Sequence, residues 1–175
     1  MTGIRKILVP IDFSEDSADA LKYAASLAEK TEAELVVLHV AQKREADSFL
    51  ESLTVMEGAP ALPRRAGIPV DRFLGEKALD LYHFIERVLG DPARLKITRK
   101  VALGDKAEKV IEAVKEERID LVVFPVPRRS FFSYVASRGK LLKVISKCPC
   151  PVVVKPLFGE PRSPMMESAP LIASR

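Results

Sequence analysis

The sequence lacks the features of several specialised protein classes. No apolar run approaches the roughly 20 residues that a membrane-spanning helix needs. The N-terminus passes from Lys6 directly into the apolar residues 7–9, without the long apolar stretch and cleavage site of a signal peptide. The two cysteines, Cys148 and Cys150, are too close together in an extended segment for an ordinary disulfide and too few for a zinc site. We therefore expect a cytoplasmic protein in a reducing compartment.

Recognisable catalytic motifs are also missing from the sequence. It shows no nucleophile elbow, Walker loop, zinc-ligand spacing or acid/base pair. His39 and His83 are isolated, and isolated histidines are more often structural or exposed than catalytic. The sequence therefore contains no motif that points to a particular reaction.

Length and composition indicate one globular domain with an uneven charge distribution. Of 175 residues, 47% are hydrophobic and 30% are charged, which is too apolar for a disordered chain. Residues 128–175 carry nine basic and two acidic groups, a local net charge of +7 within a total of +4. Such a segment can attract a polyanion, although a solvated basic face is the commoner explanation.

Strand-like and helix-like segments alternate along the chain. Residues 7–11 and 35–40 are almost continuous apolar runs, typical of strands buried on both faces of a parallel sheet. Between them, Ser14 is the predicted N-cap of a helix. Further strands are predicted at 95–103, 119–124 and 150–155, and further helices at 78–89, 105–114 and 141–145. This alternation predicts an α/β fold, a three-layer sandwich with a mainly parallel sheet.

Two stretches fall outside the alternation. Residues 42–74 contain a short amphipathic helix around Phe49 and a connector rich in glycine and proline, which is long for a loop in a compact domain. This expanded connector is either a lid or a surface excursion without a role. Residues 157–175 have no periodicity and are expected to form a flexible tail, which leaves residues 1–156 as the domain.

A ligand site is expected where the winding of the sheet reverses, beyond the carboxyl ends of the strands. The loops after the first and fourth strands, residues 10–14 and 125–140, could meet there. Asp12 ends the first apolar strand and could accept hydrogen bonds from a base or a ribose. Alternatively, Asp12 orders its own turn as an Asx motif.

Several short motifs in the chain together resemble the universal stress protein family. They are Ile-Leu-Val-Pro-Ile-Asp-Phe-Ser at 7–14, Leu-Val-Val-Leu-His-Val at 35–40, Asp-Leu-Val-Val at 120–123 and Cys-Pro-Cys-Pro-Val-Val-Val at 148–154. The resemblance covers residues 4–156 apart from 42–74. It implies a Rossmann-like domain, similar to the adenine nucleotide alpha hydrolases, with five strands in the order 3-2-1-4-5. It also implies a homodimer paired through the last strand, here Pro151, Val152, Val153, Val154 and Lys155.

The family divides on a phosphate-binding pattern after the fourth strand, in which three glycines are followed by a serine or threonine. Aligned without gaps, the glycine positions fall on Pro125, Arg128 and Arg138, and the hydroxyl position falls on Gly139. Glycines let backbone N–H groups approach phosphate oxygens, whereas proline has no N–H and arginine places a long side chain there. The departure predicts a member that does not bind ATP in the usual way. Arg128 and Arg138 could instead hold another anion, or Arg128 and Arg129 could simply decorate an exposed loop.

The function predicted from the sequence is that of a non-catalytic regulatory or binding protein of the stress response, without a cofactor. The ligand-contacting positions implied by the resemblance are Pro10, Ile11, Asp12, Val40, Arg128, Arg138 and Gly139. One alternative is a switch that binds ATP or AMP with Mg²⁺ through an altered loop, with at most slow hydrolysis. A second is a polyanion or nucleic-acid binder that uses the basic C-terminal third.

The two cysteines flank Pro149 where the last predicted strand begins. The family resemblance includes Pro-Cys-Pro at this place, and no neighbouring cation that would lower a thiol pKa is identifiable. The sequence therefore favours a packing role over redox chemistry.

Overall fold

The computed structural model describes residues 3–56, 68–90, 94–126, 139 and 141–156. The strands are β1 (Lys6–Ile11), β2 (Glu34–Ala41), β3 (Ile97–Leu103), β4 (Leu121–Val126) and β5 (Val152–Pro156). The helices are α1 (Glu15–Thr31), α2 (Lys43–Met56), α3 (Ile68–Leu89), α4 (Lys106–Glu117) and α5, which covers 141–147. The predicted alternation of strands and helices is confirmed. None of the described helices is long and apolar enough to cross a membrane.

The five strands form one sheet in the order β3-β2-β1-β4-β5, and every pair is parallel. This confirms the predicted fold class and strand order. The chain winds outward from β1 to β3, then returns past β1 to form β4 and β5. The winding therefore reverses at the boundary between β1 and β4, where a parallel sheet opens a crevice at the carboxyl ends of its strands.

Alternating side chains of the central strands reach both helical layers. Ile7 and Val9 of β1 lie in one apolar cluster with residues of α1 and α3, such as Leu21. Leu8 lies in a second cluster, with Val110 of α4 and other residues from α4 and α5. Burial of each such side chain contributes roughly 1.5–3 kcal/mol. The predicted three-layer sandwich follows from strands that are apolar on both faces.

Two helices begin at the carboxyl edge of the sheet, as the sequence predicts. The Ser14 hydroxyl caps α1 by accepting a hydrogen bond from Ser17 N, at 3.2 Å. Asp105 caps α4 by accepting from Glu108 N, at 3.0 Å. Both caps follow a strand closely, so the first turns of α1 and α4 border the same edge.

The structure corrects the description of residues 42–74. Helix α2 extends from Lys43 to Met56, and α3 begins at Ile68, whereas the sequence predicted its start at Ala78. Proline is tolerated in the first turn of a helix because the N–H group that it lacks would have no partner there, so Pro69 does not prevent this early start. Much of the predicted connector is therefore helical. Its remaining residues, 57–67, and the predicted tail at 157–175 lie outside the described residues.

Strand boundaries shift slightly from the prediction. β4 begins at Leu121 rather than at residue 119 and continues to Val126, and β5 begins at Val152 rather than at Cys150. As a result, both cysteines precede β5, in a bend between α5 and the strand. The expectation that they lie in an extended segment is wrong.

Candidate functional site

A cavity of about 260 Å³ opens at the carboxyl ends of β1, β2 and β4, where the winding reverses. We call it the crevice. Its wall includes Asp12 and Phe13 after β1, Val40 of β2, and Phe124 and Pro125 of β4. The crevice is thus built by the loops and strand ends at which the sequence analysis expected a ligand.

The Asp12 carboxylate is fixed by its own turn and faces the crevice. Ser14 donates to Oδ1 through its hydroxyl at 2.6 Å and through its backbone N–H at 3.3 Å. Lys106 Nζ lies 3.6 Å from Oδ2. Burial raises the pKa of Asp12, but Lys106 and the hydroxyls of Ser14 and Ser17 outweigh it, so the pKa lies below its ordinary value. Asp12 therefore orders its turn as an Asx motif and also presents an ionised acceptor to the crevice.

His39, which the sequence analysis treated as an isolated histidine, also lines the crevice. The strand register places it opposite Ile11, whose carbonyl oxygen lies 3.2 Å from His39 Nδ1. Because a carbonyl only accepts, Nδ1 carries the hydrogen and Nε2 is left as an acceptor. Only 5% of His39 is exposed, and Nε2 has no hydrogen-bond partner among the described residues. Burial lowers the pKa of His39 and keeps the ring neutral.

Phe13 follows Asp12 in the chain and contacts His39 because its backbone has an unusual conformation. Its φ of 63° lies in the left-handed region, which bulky residues rarely adopt. The turn directs its ring onto His39, with ring centres 4.3 Å apart, and against Phe84 of α3 at 5.5 Å. Residues held in such conformations cluster at functional sites, since the surrounding structure must compensate for the strain. The β1–α1 turn therefore places an aromatic ring beside the crevice as well as leading into the helix.

Helices supply most of the charged groups around the crevice. Lys106 comes from the first turn of α4, Glu45 from the first turn of α2, and Lys77 from α3. With Asp12 and Asp16, the described lining residues include three carboxylates and two ammonium groups. The segment predicted as a connector or lid, residues 42–74, thus contributes Glu45, and the part of α3 that follows it contributes Lys77. The sequence predicts only a short helix around Phe49 in this segment and a start of α3 at Ala78, so neither charged side chain falls within a predicted helix.

The predicted contact residues do not all meet at the crevice. Asp12 and Val40 line it, whereas Pro10 and Ile11 lie in β1 outside the set of lining residues. Gly139 is exposed, also lies outside that set, and has nothing within 4 Å of the place where a Cβ atom would stand. The remaining two, Arg128 and Arg138, lie outside the described residues.

Pro125 forms the β4 side of the crevice. β4 pairs with β1 only at Leu121 and Val122, so Pro125 lies beyond that pairing and borders the cavity. Proline has no N–H, so the chain cannot donate to a ligand from this position.

The described residues include no group of three or more side chains that could ligate a metal ion.

Comparisons with known proteins agree with this geometry. A sequence model of the universal stress protein family matches residues 3–156. The structure of the universal stress protein UspA from Lactobacillus plantarum has 21% identity and a TM-score of 0.62, covering 89% of this chain and all of that one. A universal stress protein family member from Burkholderia pseudomallei has 22% identity and a TM-score of 0.57, covering 87% and 96%.

A third similar structure is a universal stress protein in complex with cAMP, with 14% identity and a TM-score of 0.57, covering 88% of this chain and 98% of that one. A comparison with curated proteins gives no significant match. At these identities the solved structures show the fold alone, whereas the family model spans nearly all of the described residues. On that match, the chain belongs to the universal stress protein family.

Proposed function

We propose that this chain is a non-catalytic regulatory protein of the stress response that binds a small ligand in the crevice without a phosphate-cradling loop. The observation that carries the proposal is the asymmetry of the crevice wall. On the β1 side, Asp12 offers an ionised acceptor; on the β4 side, Pro125 stands at the first glycine position of the family pattern and has no N–H.

The charges around the crevice support the same conclusion. A triphosphate carries several negative charges and needs convergent N–H donors or cations. Among the described lining residues, carboxylates outnumber ammonium groups, and Lys106 is already within 3.6 Å of Asp12. The site therefore favours a ligand that uses hydrogen-bond donors, such as the base and ribose of a nucleoside. One structurally similar family member was solved with cAMP, so adenine compounds are the first ligands to test.

Isothermal titration calorimetry with AMP and with ATP plus Mg²⁺ tests this proposal. We expect ATP to bind no more tightly than AMP, because Pro125 offers the additional phosphates no N–H group. The Asp12→Ala variant should weaken binding of both, whereas Asp71→Ala, which removes an exposed carboxylate on α3, should not. ATP that binds tenfold more tightly than AMP, a gain of about 1.4 kcal/mol, would contradict the missing cradle. A folded protein that binds neither compound would contradict an adenine ligand.

A nucleotide-responsive switch is the second candidate, and Asp12 is the observation that favours it. An ionised carboxylate held by Ser14 and facing the crevice suits recognition of a ribose or a base. This candidate requires tight ATP binding that Asp12→Ala abolishes, together with at most slow release of inorganic phosphate. The same calorimetric titration, with a phosphate-release assay added, separates it from the first candidate.

The proposed assembly is a homodimer through residues 151–155. β5 is an edge strand that pairs with β4 on one side only, and an open edge is a site for strand pairing. The neighbouring helix α5 exposes Leu142 and Ile145. Light scattering at micromolar concentration should therefore give the mass of a dimer, and a monomer would contradict this assembly.

A basic residue of the C-terminal third already forms ion pairs within the domain. Lys143, one of the basic residues of the C-terminal third, lies 2.9 Å from Glu108 and 3.5 Å from Asp105. Its charge is already paired with α4. Arg128, Arg129 and Arg138 lie outside the described residues.

A further inference from the structure

The only two cysteines of the chain meet in space. The Sγ atoms of Cys148 and Cys150 lie 3.4 Å apart, and both residues are free thiols. This contact exists because Pro149 and Cys150 lie in a bend rather than in an extended strand. An ordinary disulfide has an S–S length of about 2.05 Å, so ring closure needs a movement of the sulfurs that is smaller than one bond length.

The surrounding backbone holds the bend at both ends. Cys148 N donates to Val144 O of α5 at 2.8 Å, and Val122 N of β4 donates to Pro151 O at 3.0 Å. The two thiols are thus presented side by side by elements that are already ordered, which removes most of the entropic cost of bringing them together. Both cysteines are half-buried, so a small oxidant can reach them.

We propose that Cys148 and Cys150 form a reversible dithiol–disulfide couple that is oxidised by hydrogen peroxide. The thiolate of one cysteine attacks an oxygen of the peroxide; an S–O bond forms, the O–O bond breaks, and the departing hydroxide takes up a proton as water. The thiol of the other cysteine then attacks the sulfur of the resulting sulfenic acid; an S–S bond forms, and the hydroxyl leaves with that thiol's proton as a second water. Two thiols and one hydrogen peroxide thus give one disulfide and two waters.

The electrostatics of the pair separate the roles of the two sulfurs. Burial raises the pKa of Cys150 to about 12, and the hydrogen bond and charge of Cys148 add to this effect. Two adjacent anionic sulfurs repel each other, so one sulfur attacks the peroxide as a thiolate while the other stays protonated and resolves the sulfenic acid. Either cysteine can take the first role.

The short spacing also makes the disulfide easy to reverse. The bridge closes a small ring that contains Pro149, and strained disulfides are more readily reduced than relaxed ones. A cellular dithiol or glutathione can therefore restore the reduced pair. The switch lies directly before β5, so it acts at the beginning of the edge strand that we propose as the dimer interface.

Mass spectrometry of the intact chain, with a count of free thiols, tests the couple. The reduced protein is treated with one equivalent of hydrogen peroxide. We expect loss of both thiols and of two hydrogen atoms per chain, without a covalent dimer on a non-reducing gel, and full recovery with dithiothreitol. Cys148→Ser and Cys150→Ser should each gain an oxygen atom instead, because neither variant keeps a second thiol that could resolve the sulfenic acid.

The wild-type mass alone decides the proposal even if a serine variant fails to fold. A wild-type chain that keeps both thiols, that gains oxygen atoms without losing hydrogens, or that forms only intermolecular disulfides would overturn it. These outcomes do not depend on whether the crevice binds a nucleotide.

Discussion

The sheet uses charged residues differently at the amino ends and at the carboxyl ends of its strands, which we call the amino edge and the carboxyl edge. At the amino ends of the strands, Lys6 Nζ lies 3.2 Å from Glu117 and 3.8 Å from Glu34. Lys96 is also within 3.1 Å of Glu34, and Lys100 contacts Glu117. Each of the two carboxylates therefore contacts two ammonium groups, and the network ties together β1, β2, β3 and the end of α4.

At the carboxyl ends, the described groups border a cavity. Asp12 lies 3.6 Å from Lys106, His39 Nε2 has no partner among the described residues, and Phe13 is held in a left-handed conformation. Buried polar groups are normally satisfied, so the unsatisfied acceptor is consistent with the ligand site that we propose. In that proposal, the amino edge serves stability and the carboxyl edge serves binding. Substitutions at the two edges should separate these roles.

The largest loss of stability is expected from Asp120→Ala, at the amino edge. Asp120 Oδ2 accepts from the backbone N–H groups of Arg5 and Lys6, at 2.9 and 3.0 Å. Removal of a charged acceptor from two donors should lower the free energy of unfolding by about 2 kcal/mol, measured by urea denaturation. Asp120→Asn keeps one acceptor oxygen and should lose less. Equal stability of Asp120→Ala and the wild type would contradict a structural role for this edge.

A smaller loss, of about 1 kcal/mol, is expected from Glu34→Gln. Thr98 donates to Glu34 at 2.6 Å, and this bond, with Lys96 and Lys6, places the pKa of Glu34 below its ordinary value. A lowered carboxyl pKa contributes stability above the unfolded value of about 4.3 and loses it as pH falls through the folded value. Wild-type stability should therefore fall more steeply on acidification than that of Glu34→Gln.

The control for this loss is Glu76→Gln, which breaks an exposed pair with Arg72 on α3. That variant should leave both the stability and its pH profile nearly unchanged, because exposed ion pairs contribute little. If Glu34→Gln and Glu76→Gln gave the same acid profile, the amino-edge network would not explain the acid sensitivity.

At the carboxyl edge, Lys106→Met keeps a long apolar side chain beside Phe124 and should change stability less than the substitutions at the amino edge. Its main effect should appear at Asp12, because Lys106 is the main group that lowers the pKa of this carboxyl. Carbon-13 NMR titration of Asp12 should therefore show a raised pKa. Lys109→Met removes a cation from the same helix, where Lys109 pairs with Glu112, and should not move the pKa of Asp12. A pKa shift in both variants, or in neither, would contradict the assignment.

The smallest change in stability is expected from the protonation of His39. Because burial lowers its folded pKa, His39 binds protons more readily when unfolded. Its contribution to stability is complete above about pH 6.5 and is lost as pH falls through the folded pKa. Nitrogen NMR in a His83→Gln background, which leaves one histidine, should show hydrogen on Nδ1 and a midpoint below 6.5. A midpoint at or above this value would refute a neutral buried ring.

The strands were predictable because their physical signal is local. Residues 7–11 and 35–40 are apolar on both faces, and the structure places them at the centre of a parallel sheet. The helix ends were harder to predict from the sequence. Pro69 lies in the first turn of α3, but a proline among glycines and further prolines is typical of a connector. The order of the strands came from the family resemblance, because local periodicity does not determine which strands are neighbours.

The site was only partly predictable, because some of its residues meet only through contacts between distant parts of the chain. Asp12 could be identified as the carboxylate at a strand end, and Pro125 from the alignment with the family pattern. The role of His39 depends on the register that sets it beside Ile11, and Lys77 reaches the crevice only through the packing of α3. Both relations join residues that are far apart in the sequence, so no local pattern contains them.

The left-handed turn at Phe13 limits how this protein can evolve. Glycine at this position would relax the backbone, but it would also remove the ring that covers one face of the buried imidazole. Another large residue would keep a ring or chain there but would retain the strain. Changes at positions 13 and 39 are therefore expected to be coupled: a lineage that loses the aromatic ring has reason to replace the histidine as well.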